Sequence, residues 1–100
     1  MAKTYVTAVI MAKDGCEAAL EKELRKVMDE VRAEAGCLRY DLHRSGYGNT
    51  FLFYEIWESP AHLEAHGRSP HMAAMQEATA DLRACPAEVN LWEEVNAGER

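Results

Sequence analysis

The stretch FLFYEIWESPAHLEAHGRSPH, residues 51–71, decides the fold. Its first seven residues are aromatic or apolar apart from Glu55, a pattern typical of a strand that is buried on both faces. The dipeptide Ser-Pro then occurs at 59–60 and again at 69–70, and each copy supplies a hydroxyl N-cap followed by proline at the first helical position. The stretch therefore predicts a buried strand followed by two helices.

Three of the four histidines lie in this same stretch. His62 and His66 are four residues apart on the first predicted helix. Gly67 stands where we expect that helix to end, in a left-handed conformation that only glycine adopts cheaply. His71 falls in the first turn of the second helix. Titratable side chains are thus gathered where a buried strand is followed by two helix ends.

The segments before this stretch predict a strand and a long helix. Residues 4–12 are β-rich and almost continuously apolar, which again indicates a strand covered on both sides. Asp14 and Glu17 form a D-x-x-E capping box, after which apolar residues recur at steps of three and four. We therefore expect one helix that begins at this box and stops at Gly36.

The remaining segments complete the order of elements. Residues 37–44 alternate in polarity and predict a half-exposed strand, which the turn residues at 45–49 join to the next strand as a hairpin. Residues 70–83 have helical spacing, and residues 87–95 predict a last strand. The order β-α-β-β-α-β is the ferredoxin-like split βαβ, an α+β fold in which a four-stranded antiparallel sheet carries helices on one face.

This arrangement leaves one face of the sheet without cover. The first and third strands are apolar on both sides, but the helices can cover only one side. An open apolar face of several hundred Å² would therefore remain on a monomer. A second copy of the chain is the simplest cover, so we predict a homodimer.

Length, charge and cysteine usage exclude several classes of protein. One hundred residues predict a single domain, residues 1–100, and no apolar stretch is long enough to span a membrane. The net charge of −6 argues against a nucleic-acid partner. Cys16, Cys37 and Cys85 are odd in number and too far apart for a CxxC pair, so neither a disulfide framework nor a zinc knuckle is indicated. Reduced thiols predict a cytoplasmic protein.

Three motifs read together resemble the antibiotic biosynthesis monooxygenase family. They are E-A-G-C-L-R-Y at 34–40, Y-E-I-W at 54–57, and A-H followed by S-P-H within 65–71. The resemblance covers essentially the whole domain. It implies a dimeric α+β barrel in which two sheets pack face to face, with a pocket between the sheet and the helices of each subunit. Family members include cofactor-free monooxygenases of quinols and polyketide phenols, an isomerase of autoinducer-2 breakdown, and haem-degrading enzymes.

The candidate site combines this resemblance with the strand pattern. The resemblance places His66 near the substrate, where imidazole is suited to proton transfer because it titrates near neutral pH. Alternation puts Glu55 and Trp57 on one face of the strand, and the resemblance suggests that this is the pocket side. The predicted site comprises the catalytic residues His66, Glu55 and His71 and the substrate-binding residues Phe53, Trp57, Met72 and Met75.

Each of these residues also has a structural interpretation. His66 could cap helix carbonyls, His71 could lie on the surface, and the aromatic and methionine side chains could be plain core. Glu55 could bond to the sheet or to the dimer partner instead of to a histidine. His62 and His66 could hold a metal, but spacing places no third ligand, so no metal is predicted and His62 is expected to be solvated.

The predicted function is cofactor-independent monooxygenation of a quinol or phenolic aromatic by molecular oxygen. Neither G-x-G-x-x-G nor a P-loop is present, and the haem enzymes of the family carry an axial histidine near the place of Gln76. One alternative is isomerisation of a small hydroxyketone, whose phosphorylated form would need Arg39, Arg44, Arg68 or Arg83 in the pocket. The other alternative is a non-catalytic dimeric binding module.

Overall fold

A computed structural model describes residues 3–46 and 48–95. The elements in these ranges are β1 (Thr4–Met11), α1 (Glu17–Lys26), α2 (Met28–Arg32), β2 (Cys37–Arg44), β3 (Thr50–Trp57), α3 (Pro60–Gly67), α4 (Pro70–Thr79) and β4 (Glu88–Trp92). The α+β ferredoxin-like class is confirmed, and α3 and α4 are two separate helices, as residues 59–71 predict. The predicted turn at 45–49 includes residue 47, which lies outside the described residues.

The four strands form one antiparallel sheet in the order β2-β3-β1-β4. Val6 on β1 lies opposite Glu55 on β3, and Ala8 lies opposite Phe53, so these four side chains point to the same face. That face is covered by the helices, and every second residue of both central strands is buried there. Trp57 shares this face with Glu55, as the two-residue period predicts.

The predicted capping box of α1 is wrong. Gly15 adopts a φ of +83°, so the chain turns after Asp14 and the helix begins only after Cys16, whose side chain makes no capping hydrogen bond. Glu17 instead accepts a 3.4 Å hydrogen bond from the N–H of Gly15. The predicted long helix is also interrupted, because Val27 separates α1 from α2.

The two Ser-Pro caps are confirmed, but the predicted role of Gly67 is wrong. Ser59 accepts from the N–H of His62, and Ser69 accepts from the N–H of Met72. Gly67 lies inside α3 and does not have a positive φ. Both the N–H and the hydroxyl of Ser69 donate to the carbonyl of His66, so a left-handed glycine is not needed to satisfy this helix end.

The alternation predicted for residues 37–44 holds only from Arg39 onward. The pairing of β2 with β3 has a β-bulge between Cys37 and Arg39. The bulge adds a residue, so Leu38 does not join the buried face and is 48 % exposed. Tyr40 resumes the pattern and is buried against the helices.

Gly36 is a position at which we predict a large loss of stability on substitution. Its φ is +80°, and the ring of His62 lies where a Cβ would be placed. Gly36→Ala should lower the free energy of unfolding by about 2 kcal/mol or more, since strain and a clash add. Urea unfolding of the purified variant measures this. Gly67→Ala is the control because nothing lies within 4 Å of its Cβ position; equal stability of both variants would contradict the prediction.

The face of the sheet opposite the helices carries a partly exposed apolar surface, which we call the open face. It consists of Tyr5, Thr7, Val9, Leu52, Tyr54, Ile56 and Trp92. Arg39, Asp41 and His43 lie beside it on β2. The described part of the chain leaves the open face without a covering layer. Separately, none of the described helices has the length and hydropathy that crossing a membrane requires.

Candidate active site

The junction of α3 and α4 positions two histidines over the sheet. His66 lies in the last turn of α3, where its carbonyl is held by Ser69. His71 lies in the first turn of α4, directly after the proline that begins that helix. Glu34 reaches the same place from the turn that follows α2.

Glu34 joins the two histidines through one carboxylate oxygen. Its Oε2 lies 2.9 Å from Nδ1 of His66 and 2.7 Å from Nε2 of His71. The Glu34 side chain is 14 % exposed, so these bonds are largely shielded from water. An ionised carboxylate only accepts hydrogen bonds, which assigns the His66 proton to Nδ1 and leaves its Nε2 as a lone-pair base.

His66 is a buried residue, not an exposed helix cap. It is 5 % exposed, and its ring lies 4.6 Å from the ring of Trp57 and 5.7 Å from that of Tyr40. Its Nε2 lies 4.0 Å from Oε1 of Glu55. The lone-pair nitrogen therefore faces the sheet, whereas the protonated nitrogen faces Glu34.

Glu55 is the buried carboxyl group of the site. Its Oε1 accepts a 2.9 Å hydrogen bond from Nε1 of Trp57. Burial raises the pKa of Glu55, although the Trp57 bond and the nearby His66 act in the opposite direction. The pKa of the Tyr40 hydroxyl is also raised far above its ordinary range. Burial is the largest cause, and the charges of Glu55 and Glu34 raise the pKa further. Tyr40 is therefore protonated at neutral pH and can donate a hydrogen bond but not act as a base.

The raised pKa of Glu55 makes stability depend on pH in a defined direction. The folded state holds this proton more tightly than the unfolded chain, so the contribution of Glu55 to folding is complete below its ordinary pKa of 4.5 and is lost as pH rises through the raised value. Glu55→Gln retains an acceptor for Trp57 and removes the titration. Its melting temperature should exceed that of the wild type at pH 8 and equal it near pH 4. A constant difference across this range would contradict the prediction.

A cavity of about 270 Å³ lies between the sheet and helices α3 and α4, and it opens to solvent beside the exposed residues Gln76 and Val89. Its floor is formed by Val6, Ala8 and Ile10 of β1, and its polar groups include those of Glu55 and His66. Most of the other lining side chains are apolar. The volume suits a small aromatic molecule.

The structure brings most of the predicted site residues to this cavity. Phe53, Glu55, His66, Met72 and Met75 line it. Trp57 lies behind them, in contact with the ring of His66 and with Glu55. His71 is not among the described residues that line the cavity, and its bond to Glu34 connects it to His66, which does line it.

His62 is not solvated as predicted. It is half-buried, its ring packs on Gly36, and its Nδ1 lies 2.8 Å from the hydroxyl of Ser59. The residues that could hold a metal are a different set, Glu34, His66 and His71, whose donor atoms lie within 4.8 Å of one another. In the hydrogen-bonded arrangement the same atoms satisfy one another without an ion.

Glu34, Tyr40 and Gln76 are not among the site residues that the sequence predicts. Glu34 and Tyr40 are the first and last residues of the E-A-G-C-L-R-Y motif, so the motif was a signal for both. Gln76 lines the cavity on α4. The sequence contains no signal that places Gln76 at the cavity.

Comparison with known proteins identifies the family. The profile of the family "Antibiotic biosynthesis monooxygenase" matches residues 4–78. The match covers well over half of the chain, and the fold and the clustering of the three motifs agree with it. The chain therefore belongs to the antibiotic biosynthesis monooxygenase family.

Two relatives have names that describe an activity. "Putative monooxygenase Rv0793" of Mycobacterium tuberculosis is 30 % identical over 86 residues, which cover 86 % of this chain and 85 % of that protein. "Probable quinol monooxygenase YgiN" of Escherichia coli is 35 % identical over 69 residues, 60 % of this chain and 66 % of that protein. An uncharacterised Synechocystis protein, sll1783, is 35 % identical over 66 residues, 65 % of this chain and only 45 % of that protein's length.

Solved structures share the whole fold. The protein PA3566 of Pseudomonas aeruginosa has a TM-score of 0.89 at 31 % identity, with 95 % of this chain and 96 % of that chain covered. The structure of Rv0793 also has a TM-score of 0.89, at 27 % identity, with 96 % of this chain and 98 % of that chain covered. The covered share of this chain is larger in both structural comparisons than the part matched by the family profile.

Proposed function

We propose that this protein is a cofactor-independent monooxygenase of a quinol or phenolic aromatic. The observation that carries the proposal is His66, whose Nδ1 is held by Glu34 and whose Nε2 faces an apolar cavity beside Glu55. A base oriented by a carboxylate is suited to removing a proton from a bound hydroxyl group. The family and the relatives named monooxygenases support the same class of reaction.

The chemistry requires only the substrate, oxygen and one base. When Nε2 of His66 takes a phenolic proton, the electron-rich ring that remains can reduce O₂. A carbon–oxygen bond then forms at the ring, the O–O bond breaks, and the second oxygen atom leaves as water. The overall change, hydroquinone plus O₂ to hydroxyquinone plus water, is balanced because the quinol supplies all four electrons. The cavity holds the reacting ring next to the base.

His71 has a positioning role in this proposal. It lies outside the cavity wall and hydrogen-bonds to the same oxygen of Glu34 that holds His66. Two donors on one carboxylate oxygen fix its position, which in turn fixes the tautomer and the orientation of His66. We assign the contacts to substrate to Phe53, Met72 and Met75, and the support of His66 to Trp57.

One observation favours a second candidate, the isomerisation of a small phosphorylated hydroxyketone. Such a substrate needs a cation in its pocket. Of the four arginines considered above, Arg83 lines the cavity. The apolar character of the remaining lining favours the aromatic substrate, and the oxygen-uptake experiment below separates the two reactions.

Oxygen uptake tests the proposed function. Protein is mixed with a panel of hydroquinones and naphthols in an oxygen-electrode cell, with and without a chelator, and the products are analysed after reaction under ¹⁸O₂. We expect uptake that follows protein concentration, persists in chelator, and places one ¹⁸O atom in the product. Loss of uptake on chelation would point to Glu34, His66 and His71 as metal ligands. No uptake with any quinol would contradict the oxygenase.

We also propose a homodimer in the cytoplasm. Free cysteines at positions 16, 37 and 85 are compatible with a reducing compartment. The open face is the surface that a second copy would cover; Tyr54 lies in its centre, and Ile56 lies next to Tyr54 on the same face of β3. Light scattering should give about twice the chain mass of 11.2 kDa.

A charge on the open face should separate the subunits. Ile56→Lys places an ammonium group in the proposed interface, where its burial without a partner is unfavourable. We expect the variant to sediment as a monomer at micromolar concentration. Ala61→Lys, on the exposed surface of α3, should remain a dimer. A monomeric wild type, or a dimeric Ile56→Lys protein, would show that the open face is not the interface.

A further inference from the structure

Arg83 lines the cavity, but the proposed oxygenation gives it no role. It follows α4 in the chain, and its backbone forms an isolated bridge with Ala12, just beyond the end of β1. Neighbouring backbone bonds, from Lys13 to Leu82 and from Ala84 to Met11, hold this segment on both sides. The position of the Arg83 backbone is therefore fixed by the sheet.

The guanidinium group of Arg83 is only partly satisfied. Its Nε donates a 3.0 Å hydrogen bond to the hydroxyl of Thr79, which in turn donates to the carbonyl of Met75. Its Nη2 is buried and has no hydrogen-bond partner. Among the residues that the structure describes, no carboxylate lies within ion-pair distance of Arg83. A buried donor without a partner is costly, which calls for an explanation.

The group is charged and desolvated at the same time. Burial lowers the pKa of Arg83, but arginine titrates so far above neutral pH that the guanidinium keeps its proton. A partly buried cation without an anion is unfavourable unless an anion binds to it. Arg83 also lines the cavity, so an anion held there lies beside the guanidinium. Because Nη2 is closed to solvent, a rotation of the guanidinium has to bring it to the anion.

Arg83 and His66 mark different ends of the cavity. The floor runs along β1 from Val6, which lies opposite Glu55, to Ile10, and Arg83 bridges to β1 just beyond. The four steps from Val6 to Ile10, at about 3.3 Å each, make this floor about 13 Å long. That length exceeds one benzene ring and leaves room for a side chain on the ring.

We propose that the cavity binds an aromatic substrate that carries a carboxylate on a short side chain, with the ring at His66 and the carboxylate on Arg83. The identity of the ring rests on the proposed oxygenase function, whereas the anionic group rests on Arg83 alone. One free edge of a single guanidinium suits a monoanion, and the Gln76 amide is the other polar group on α4 that lines the cavity. A phosphate dianion would need more donors than these.

Binding without oxygen tests this proposal separately from catalysis. Calorimetric titration under argon compares 3-(2,5-dihydroxyphenyl)propanoate with its neutral amide, and the shorter 2,5-dihydroxybenzoate with its own amide. We expect the propanoate to bind at least about 10-fold more tightly than its amide, the scale of one charge-assisted hydrogen bond. The shorter acid should gain less from its charge because it cannot reach Arg83 while its ring is at His66.

Variants identify the residue responsible. Arg83→Gln should remove the preference for the acid by weakening acid binding much more than amide binding, whereas Arg83→Lys should retain part of the preference. Arg68→Gln is the matched control, because Arg68 is exposed and paired with Glu64 on α3. Circular dichroism verifies that each variant is folded. The wild-type comparison of acid with amide decides the question even when Arg83→Gln does not fold.

Several outcomes would overturn the proposal. Equal affinity of the wild type for acid and amide would mean that Arg83 is neutralised by another group. A preference that survives in folded Arg83→Gln would place the anion elsewhere. Tighter binding of dihydroxyacetone phosphate than of the aromatic acid would assign Arg83 to a phosphorylated substrate. Acid-selective binding without oxygen uptake would leave the Arg83 site intact and contradict only the oxygenase.

Discussion

His66→Gln should lower the turnover number for quinol oxygenation by about 10²-fold or more, the usual scale of general acid–base help. Glutamine is close to histidine in size and its amide N–H can still donate to Glu34, but it has no basic nitrogen to direct at the cavity. Initial rates of oxygen uptake at saturating substrate measure the effect. The melting temperature of the variant should stay near that of the wild type.

His66→Ala answers a different question. The ring that it removes is buried against Trp57 and Tyr40, so the variant loses packing as well as the base. It should be destabilised by about 2 to 4 kcal/mol. His62→Gln is the control for both variants, because His62 contacts Gly36 and Ser59 instead of the cavity. The turnover number of His62→Gln should equal that of the wild type. Full turnover in His66→Gln would mean that His66 is not the base, and Glu55 would then be the next candidate.

Glu34→Gln is expected to reduce turnover by roughly 10- to 10²-fold, since a neutral amide no longer orients the base through a charge-assisted hydrogen bond. The loss should fall on kcat and leave KM near the wild-type value, because Glu34 is not among the described residues that line the cavity. A purely structural role of Glu34 would instead lower the melting temperature and leave kcat of the folded protein unchanged, so the two measurements separate the roles.

Glu64→Gln is the matched control for Glu34. Glu64 lies on α3, close to His66 in sequence, but it is 70 % exposed and paired with Arg68. The turnover number and the melting temperature of Glu64→Gln should equal those of the wild type. Unchanged kinetics in Glu34→Gln would mean that His66 is oriented by packing on Trp57 alone.

Local chemistry made β3 and the starts of α3 and α4 predictable. The apolar run of β3 and the hydroxyl of each Ser-Pro pair act within a few residues, so the sequence contains the whole cause. The same locality explains why Glu55 and Trp57 were assigned to one face. The capping box at Asp14 is a wrong prediction because the backbone turns at Gly15. The left-handed Gly67 is a wrong prediction because Ser69 binds the carbonyl at that helix end.

The carboxylate that holds the base was not predictable from spacing. Glu34 is 32 residues from His66 and 37 from His71 along the chain. Their contact depends on where the turn after α2 lies relative to α3, and the break at Val27 helps to determine this. Periodicity within one element contains no information about such a contact. Arg83 is similar, because its place at the cavity follows from a bridge to Ala12.

The row of side chains through the cavity wall has a kinetic consequence. From the outside inward it consists of His71, Glu34 and His66, which are joined by hydrogen bonds of 2.7 and 2.9 Å, with the His71 side chain 18 % exposed and His66 buried. A proton taken up at His66 is therefore two hydrogen bonds away from a side chain that solvent reaches. Release of the proton would then not have to wait for release of the product, and the two events could limit turnover independently.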